Sequence, residues 1–193
     1  AELARHNGIS LKATLYAGRR FVIPSKDAVP SPTLTPEVST AIQNVRVRKG
    51  RWKYIVIHHS GTPSATVKGM DEYHRNTRHM ENGLAYHFVI GNGHGMKDGE
   101  IAVAPRWTKQ LDGGHLASAT LNEVSIGICL VGNFDETRPT RNQLDSLQAL
   151  IEAIRKRCGL RVTSVKTHQQ INPIHTRCPG SLFDAKKLIH RLS

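Results

Sequence analysis

Two imidazoles and one thiol stand out by type and setting. His58 lies in the run Tyr54-Ile55-Val56-Ile57-His58-His59-Ser60, an apolar strand that ends in polar chemistry. His168 and Cys178 stand ten positions apart, and the cysteine is followed by Pro179 and Gly180. Two nitrogens and a thiolate suit zinc, and three protein ligands leave a fourth position for water, the layout of a hydrolytic site rather than a closed structural one. Strand alternation sends His58 and His59 to opposite faces, so only one of them belongs in such a set. The competing reading of His58 is a core histidine with its hydrogen bonds satisfied.

These residues need elements to hold them. A first strand is expected over about 53–58, and a helix from near Ala65 to His79 with Val67, Met70, Tyr73 and His74 on one side. A strand from Leu84 to Ile90 should turn through Gly91-Asn92-Gly93-His94-Gly95 and pair with Ile101–Ala104. The apolar run Val124–Val131, broken by one glycine, reads as a buried central strand. Thr140 and Gln143 form a capping box for a long helix with the stripe Leu144, Leu147, Leu150, Ile151 and Ile154, and Gly159 supplies its stop. Ser181 is expected to cap a last helix carrying Leu188, Ile189 and Leu192. Strands interleaved with helices predict an α/β fold, a central mixed β-sheet flanked by helices, with a small N-terminal appendage.

Before that domain, residues 25–44 are rich in Pro, Ser and Thr and lack apolar periodicity, so they read as a linker, with the main domain over 45–193. Residues 1–24 end in Gly18-Arg19-Arg20-Phe21-Val22-Ile23-Pro24, which resembles the tail of a LysM module, a small glycan-binding unit. The resemblance spans only about half a module, and its opening strand is missing.

The 193 residues carry a formal charge of +12, which favours anionic partners such as wall polymers, nucleic acid or a membrane surface. The charge concentrates at Arg46, Arg48, Lys49, Arg51 and Lys53, and again at Arg155, Lys156, Arg157 and Arg161, where a merely solvated face is the plain alternative. No apolar run approaches the ~20 residues of a membrane span, and no signal peptide is visible. Three cysteines exclude a fully paired disulfide framework; Cys129 reads as core, and Cys158 has no evident role. No nucleic-acid motif is recognisable and aromatic residues are only 5%, so specific nucleic-acid binding is not expected.

From about residue 50 onward the chain resembles the type 2 N-acetylmuramoyl-L-alanine amidases, which include bacteriophage lysozyme-type amidases and animal peptidoglycan recognition proteins. The matching segments are Ile55–Ser60, Gly83-Leu84-Ala85-Tyr86-His87-Phe88, Gly114-His115, Ser125–Gly132 and His168 through Gly180, in the family's order. The resemblance implies that His58, His168 and Cys178 bind Zn2+ and that Tyr86 is catalytic. Thr176 falls where many members carry lysine and some threonine. The spacing of His168 and Cys178 equals that of the bacterial recycling amidases, which use Asp where Cys178 stands; Cys129 matches the phage-type branch.

The implied reaction is hydrolysis of the amide between N-acetylmuramic acid and L-alanine in peptidoglycan or muropeptides. It would be carried out by a monomer in a bacterial or phage-derived cell-envelope or secreted setting, with anionic wall polymers as further partners. A metal would activate water and polarise the carbonyl, while Tyr86 donates to the water or the oxyanion. Thr176 can donate but carries no charge, so His115 or His175 is expected to supply the missing positive or proton-donating group, with His115 touching substrate or transition state. Tyr86 could instead simply pack in the sheet, and Trp52 and Trp107 could face sugars or the core. A non-catalytic peptidoglycan receptor is the rival function.

Overall fold

The computed structural model describes residues 33–192 together with Ile9, Ser10 and Gly18, and the chain divides into units 1–32 and 33–193. The LysM-like reading of 1–24 falls outside the described residues, save those three. The second unit is an α/β fold around a five-stranded mixed sheet: β1 (Tyr54–His59), β2 (Phe88–Ile90), β3 (Ile101–Val103), β4 (Ser125–Leu130) and β5 (Val165–Thr167), in the order β3-β2-β4-β1-β5. β1 pairs in parallel with β4 and β5, β2 pairs in parallel with β4, and β3 closes the edge antiparallel to β2. The parallel strands therefore finish at one pole, where βα connections leave the sheet and ligands gather in open α/β folds.

β4 is buried along its whole length, as its unbroken apolar run requires. The long helix α5 (Arg141–Cys158) packs Leu147, Leu150, Ile151 and Ile154 into the core, starts at the Thr140–Gln143 capping box and ends at Gly159, whose φ of 68° is left-handed. Gln143 also donates to the carbonyls of Ile90 and Val131, tying the start of α5 to the ends of β2 and β4. The other helices are α1 (Pro36–Gln43), α2 (Val67–Asn76), the short α3 (Pro105–Thr108), α4 (Ala119–Glu123) and α6 (His168–Ile171), and the final α7 (Ala185–Arg191).

Three expectations are corrected. The segment read as linker contains α1, capped by Thr35 with Pro36 at its first turn. Val38 and Ile42, one helical turn apart, enter the main core, and Trp107 donates to the Ala41 carbonyl. The strand expected over Leu84–Ile90 begins only at Phe88. Upstream, side chains take the backbone groups a strand would pair: Asp71 accepts from Leu84 N–H, and Arg106 Nε donates to the Leu84 carbonyl. The last helix is capped by Asp184, not Ser181, because Asp184 accepts from Lys187 N–H, whereas Ser181 N–H donates to Asp135. Trp52 and Trp107 are both core residues, at 3% and 0% exposure.

Candidate functional site

β1 carries His58 to the pole where the parallel strands end, and only 1% of the residue is exposed. β5 runs alongside it and passes directly into α6, whose first residue is His168; the two imidazole centroids are 4.4 Å apart. The segment after α6 then folds back. Gln169 N–H donates to the Cys178 carbonyl at 2.9 Å, and the Cys178 Sγ accepts from the His59 backbone N–H at 3.3 Å. Gly180 follows at φ 101°, pressed so closely on the Phe134 backbone that a Cβ would overlap it. One ligand-type atom each from His58, His168 and Cys178 lies within 4.8 Å of the others.

The donor set fits a single ion. Tetrahedral zinc with Zn–N and Zn–S bonds of about 2.0–2.3 Å places its ligand atoms roughly 3.5 Å apart. The His58 Nδ1 to Cys178 Sγ distance is 3.8 Å. Burial pushes the Cys178 thiol up to about 12, the His59 N–H opposing this and Asp135 adding to it. A neighbouring cation is what would bring such a thiol to the thiolate that binds metal.

The tautomer of His58 follows from its partners. His115 Nε2 lies 3.3 Å from the Ser125 carbonyl, which can only accept, so His115 carries its proton on Nε2. His115 Nδ1 is then an acceptor, and His58 Nε2, 3.0 Å away, donates to it. That leaves the Nδ1 lone pair of His58 facing Cys178. The His115 ring lies over Gly127 of β4, where a Cβ would overlap it. His115 was expected to face the substrate, and its surroundings in the structure are these. Both ring nitrogens are engaged, the residue is 7% exposed, and burial lowers its pKa to about 3, which favours the neutral imidazole.

Tyr86 stands at the front, its ring 5.2 Å from that of His58. Burial raises its pKa well above the ordinary value, with Cys129 and Cys178 adding to the shift, so the phenol keeps its proton and can donate. Cys129 stands opposite His58 in the β1–β4 register and is fully buried. Thr176 is half-buried, and its Oγ1 accepts from Cys178 N–H at 3.2 Å, which shapes the cysteine's turn; the hydroxyl proton is left to donate. His175 is exposed. His59 turns away, accepting at Nδ1 from Phe134 N–H, and His87 is buried between Gly127 N–H and the Leu111 carbonyl. Beside the site runs a cleft of about 540 Å3 lined by Ser60, Thr62, Met70, Tyr73, His74 and Tyr86, a size that suits a ligand.

Several positioning groups escaped sequence reasoning. Asn122 holds the His115 loop, accepting from the N–H groups of His115 and Leu116 and donating to the Leu116 carbonyl. Arg106 ties the Tyr86 loop to the His115 loop through the Leu84 and Asp112 carbonyls. Asn172, four positions after His168, donates its backbone N–H to the His168 carbonyl at 2.9 Å, and its side chain accepts from Ala117 N–H at 2.9 Å. The Asn172 spacing on a helix was the one available signal; the other contacts join residues distant in sequence.

Comparison with known proteins accords with this geometry. Over residues 48–181, well over half of the chain, it matches the family model described as N-acetylmuramoyl-L-alanine amidase. Among curated proteins it is 31% identical over 108 residues to peptidoglycan-recognition protein 2 of Holotrichia diomphalia (52% of each chain). It is 28% identical over 108 residues to peptidoglycan recognition protein 3 of Homo sapiens (52% of this chain, 29% of that protein). The chain thus spans about half or less of the length of the curated relatives it matches. Among solved structures, an endolysin N-acetylmuramoyl-L-alanine amidase from Clostridium intestinale superposes with TM-score 0.62 at 28% identity, covering 77% of this chain and 93% of that one. A Drosophila PGRP-LB mutant in complex with tracheal cytotoxin gives 0.57 at 25%, covering 75% and 84%. The chain belongs to the N-acetylmuramoyl-L-alanine amidase family.

Proposed function

We propose that this chain is a zinc-dependent hydrolase of the amide between N-acetylmuramic acid and L-alanine in peptidoglycan, acting in a cell-wall or extracellular setting. The observation that carries this is the convergence of His58, His168 and Cys178 ligand atoms within 4.8 Å beside an open cleft. His58 through Nδ1, an imidazole nitrogen of His168 and the Cys178 sulfur would hold the ion. When bound, zinc makes water acidic enough to attack near neutral pH and polarises the amide carbonyl.

The remaining work belongs to the protein. His115 keeps the His58 proton on Nε2 and its Nδ1 lone pair forward. Tyr86, held as a neutral phenol, donates to charge developing on the carbonyl oxygen, where a preorganised donor in a partly desolvated site has its largest effect. Thr176 sets the Cys178 turn and offers a second, uncharged donor. The cleft wall of α2 positions the stem peptide and sugar.

The test is release of N-terminal L-alanine from purified sacculi, with metal content measured in parallel. Activity should vanish on chelation and return with zinc. Zinc-loaded protein that binds peptidoglycan yet releases nothing would establish the receptor reading instead.

A further inference from the structure

The sheet has a second pole, 17 Å or so from the first at about 3.3 Å per residue along β1. Two basic clusters, distant in sequence, meet there. Residues 46–53 lead into the start of β1, with Lys53 N–H donating to the Val124 carbonyl just before β4. The C-terminal end of α5 arrives at the same end, and Arg157 donates to the Val45 carbonyl. Arg161 sits shortly before β5, whose first residue, Val165, pairs with Ile55. Arg155 and Arg157 spend guanidinium donors on backbone carbonyls, and Arg51 pairs with Asp112 at 2.7 Å.

Six cations are left over: Arg46, Arg48, Lys49, Lys53, Lys156 and Arg161. All are exposed, and among the described residues none of these side chains makes an ion pair or hydrogen bond. Of the neighbouring acids, Asp112 is held by Arg51, and Glu123 lines the groove with Arg48 and Lys53.

We infer that this pole is a docking surface for an anionic, phosphodiester-linked wall polymer, which would hold the enzyme on its substrate while leaving the cleft free. A repeating phosphate chain suits several spare, flexible cations spread over a surface, since each contributes by charge rather than by fixed geometry. Nucleic acid fits less well. Single strands ask for exposed aromatic platforms, but Trp52 is buried beneath Arg51, and the exposed large apolar residues among those described, Tyr73 and Ile174, belong to the cleft wall and the loop before Cys178. The inference relies on the proposed function only for the wall as the setting.

Retention on sacculi tests it. The full chain carrying Cys178→Ser, which binds without cutting, is compared on walls that keep their phosphodiester polymer and on acid-stripped walls, at low and high salt. Replacing Arg46, Arg48, Lys49 and Lys53 together by Gln should weaken retention on polymer-bearing walls at least tenfold at low salt, and hardly at all on stripped walls. Replacing Lys97, Arg138, Lys186 and Lys187 by Gln, an equal loss of charge elsewhere, should cost less than threefold. With Cys178 intact, the first variant should cleave soluble muropeptide like the parent, which separates docking from catalysis and checks folding. Equal losses in both variants, or equal retention on both walls, overturn the proposal. Duplex DNA that displaces the protein better than free wall polymer at equal phosphate would assign the surface to nucleic acid.

Discussion

The two ends of β1 handle charge in opposite ways. At its C-terminal end the chemistry is desolvated and directional: His58, His115 and Ser125 form a chain in which each proton position follows from the next partner. Three cations on this side are paired, Lys68 with Glu72 at 3.8 Å, Arg75 with Asp71 at 2.7 Å and Arg177 with Asp135 at 3.2 Å. At the N-terminal end six exposed cations have no ion-pair or hydrogen-bond partner among the described residues. Fixed hydrogen bonds select one geometry and suit bond cleavage, whereas unpaired surface charge is tolerant of geometry and suits adhesion. One sheet can therefore separate the two tasks, because parallel strands deliver different residues to each pole.

Substitutions should break one end and spare the other. The largest effect is expected from Cys178→Ser. It removes a proposed metal ligand, so activity should fall by well over a hundredfold with loss of bound zinc, while retention on walls stays within twofold of the parent; activity, metal content and sedimentation with sacculi read this. Next comes His115→Ala, which leaves His58 Nε2 without its acceptor. Zinc affinity should fall about 10- to 100-fold, and His115→Asn, able to offer an acceptor in the same place, should recover part of it in a competition titration with a chelator dye. Metal binding unchanged in His115→Ala would show that the tautomer chain is dispensable. The smallest effect is Thr176→Val, which removes the acceptor for Cys178 N–H and a candidate donor to substrate. A net hydrogen bond of about 1 kcal/mol corresponds to roughly fivefold, expected in kcat/KM with the pH profile unmoved.

The cleft end was legible in the sequence to the extent that its chemistry resides in residue types. A thiol and two imidazoles in distinctive settings name a metal chemistry wherever they lie, and an apolar run ending in histidine reads as a strand delivering a ligand. What surrounds them was not legible. Tyr86 was expected on a strand, but Asp71 and Arg106 reach in from other elements and take its neighbours' backbone groups. The segment before Val45 looked like linker by composition, yet two apolar residues one turn apart are enough for α1 once a core is there to receive them. Gly127 read only as a break in an apolar run; it is the space that the His115 ring occupies.

By itself the sequence determined the α/β pattern, the capped long helix and the kinds of donor atom available, because periodicity, capping and side-chain chemistry are local properties. Only the tertiary structure decided that His115 is buried against His58 and Gly127, and that cations about a hundred residues apart share one face. Both outcomes depend on which strands lie side by side, and strand order is set by packing across the whole sheet.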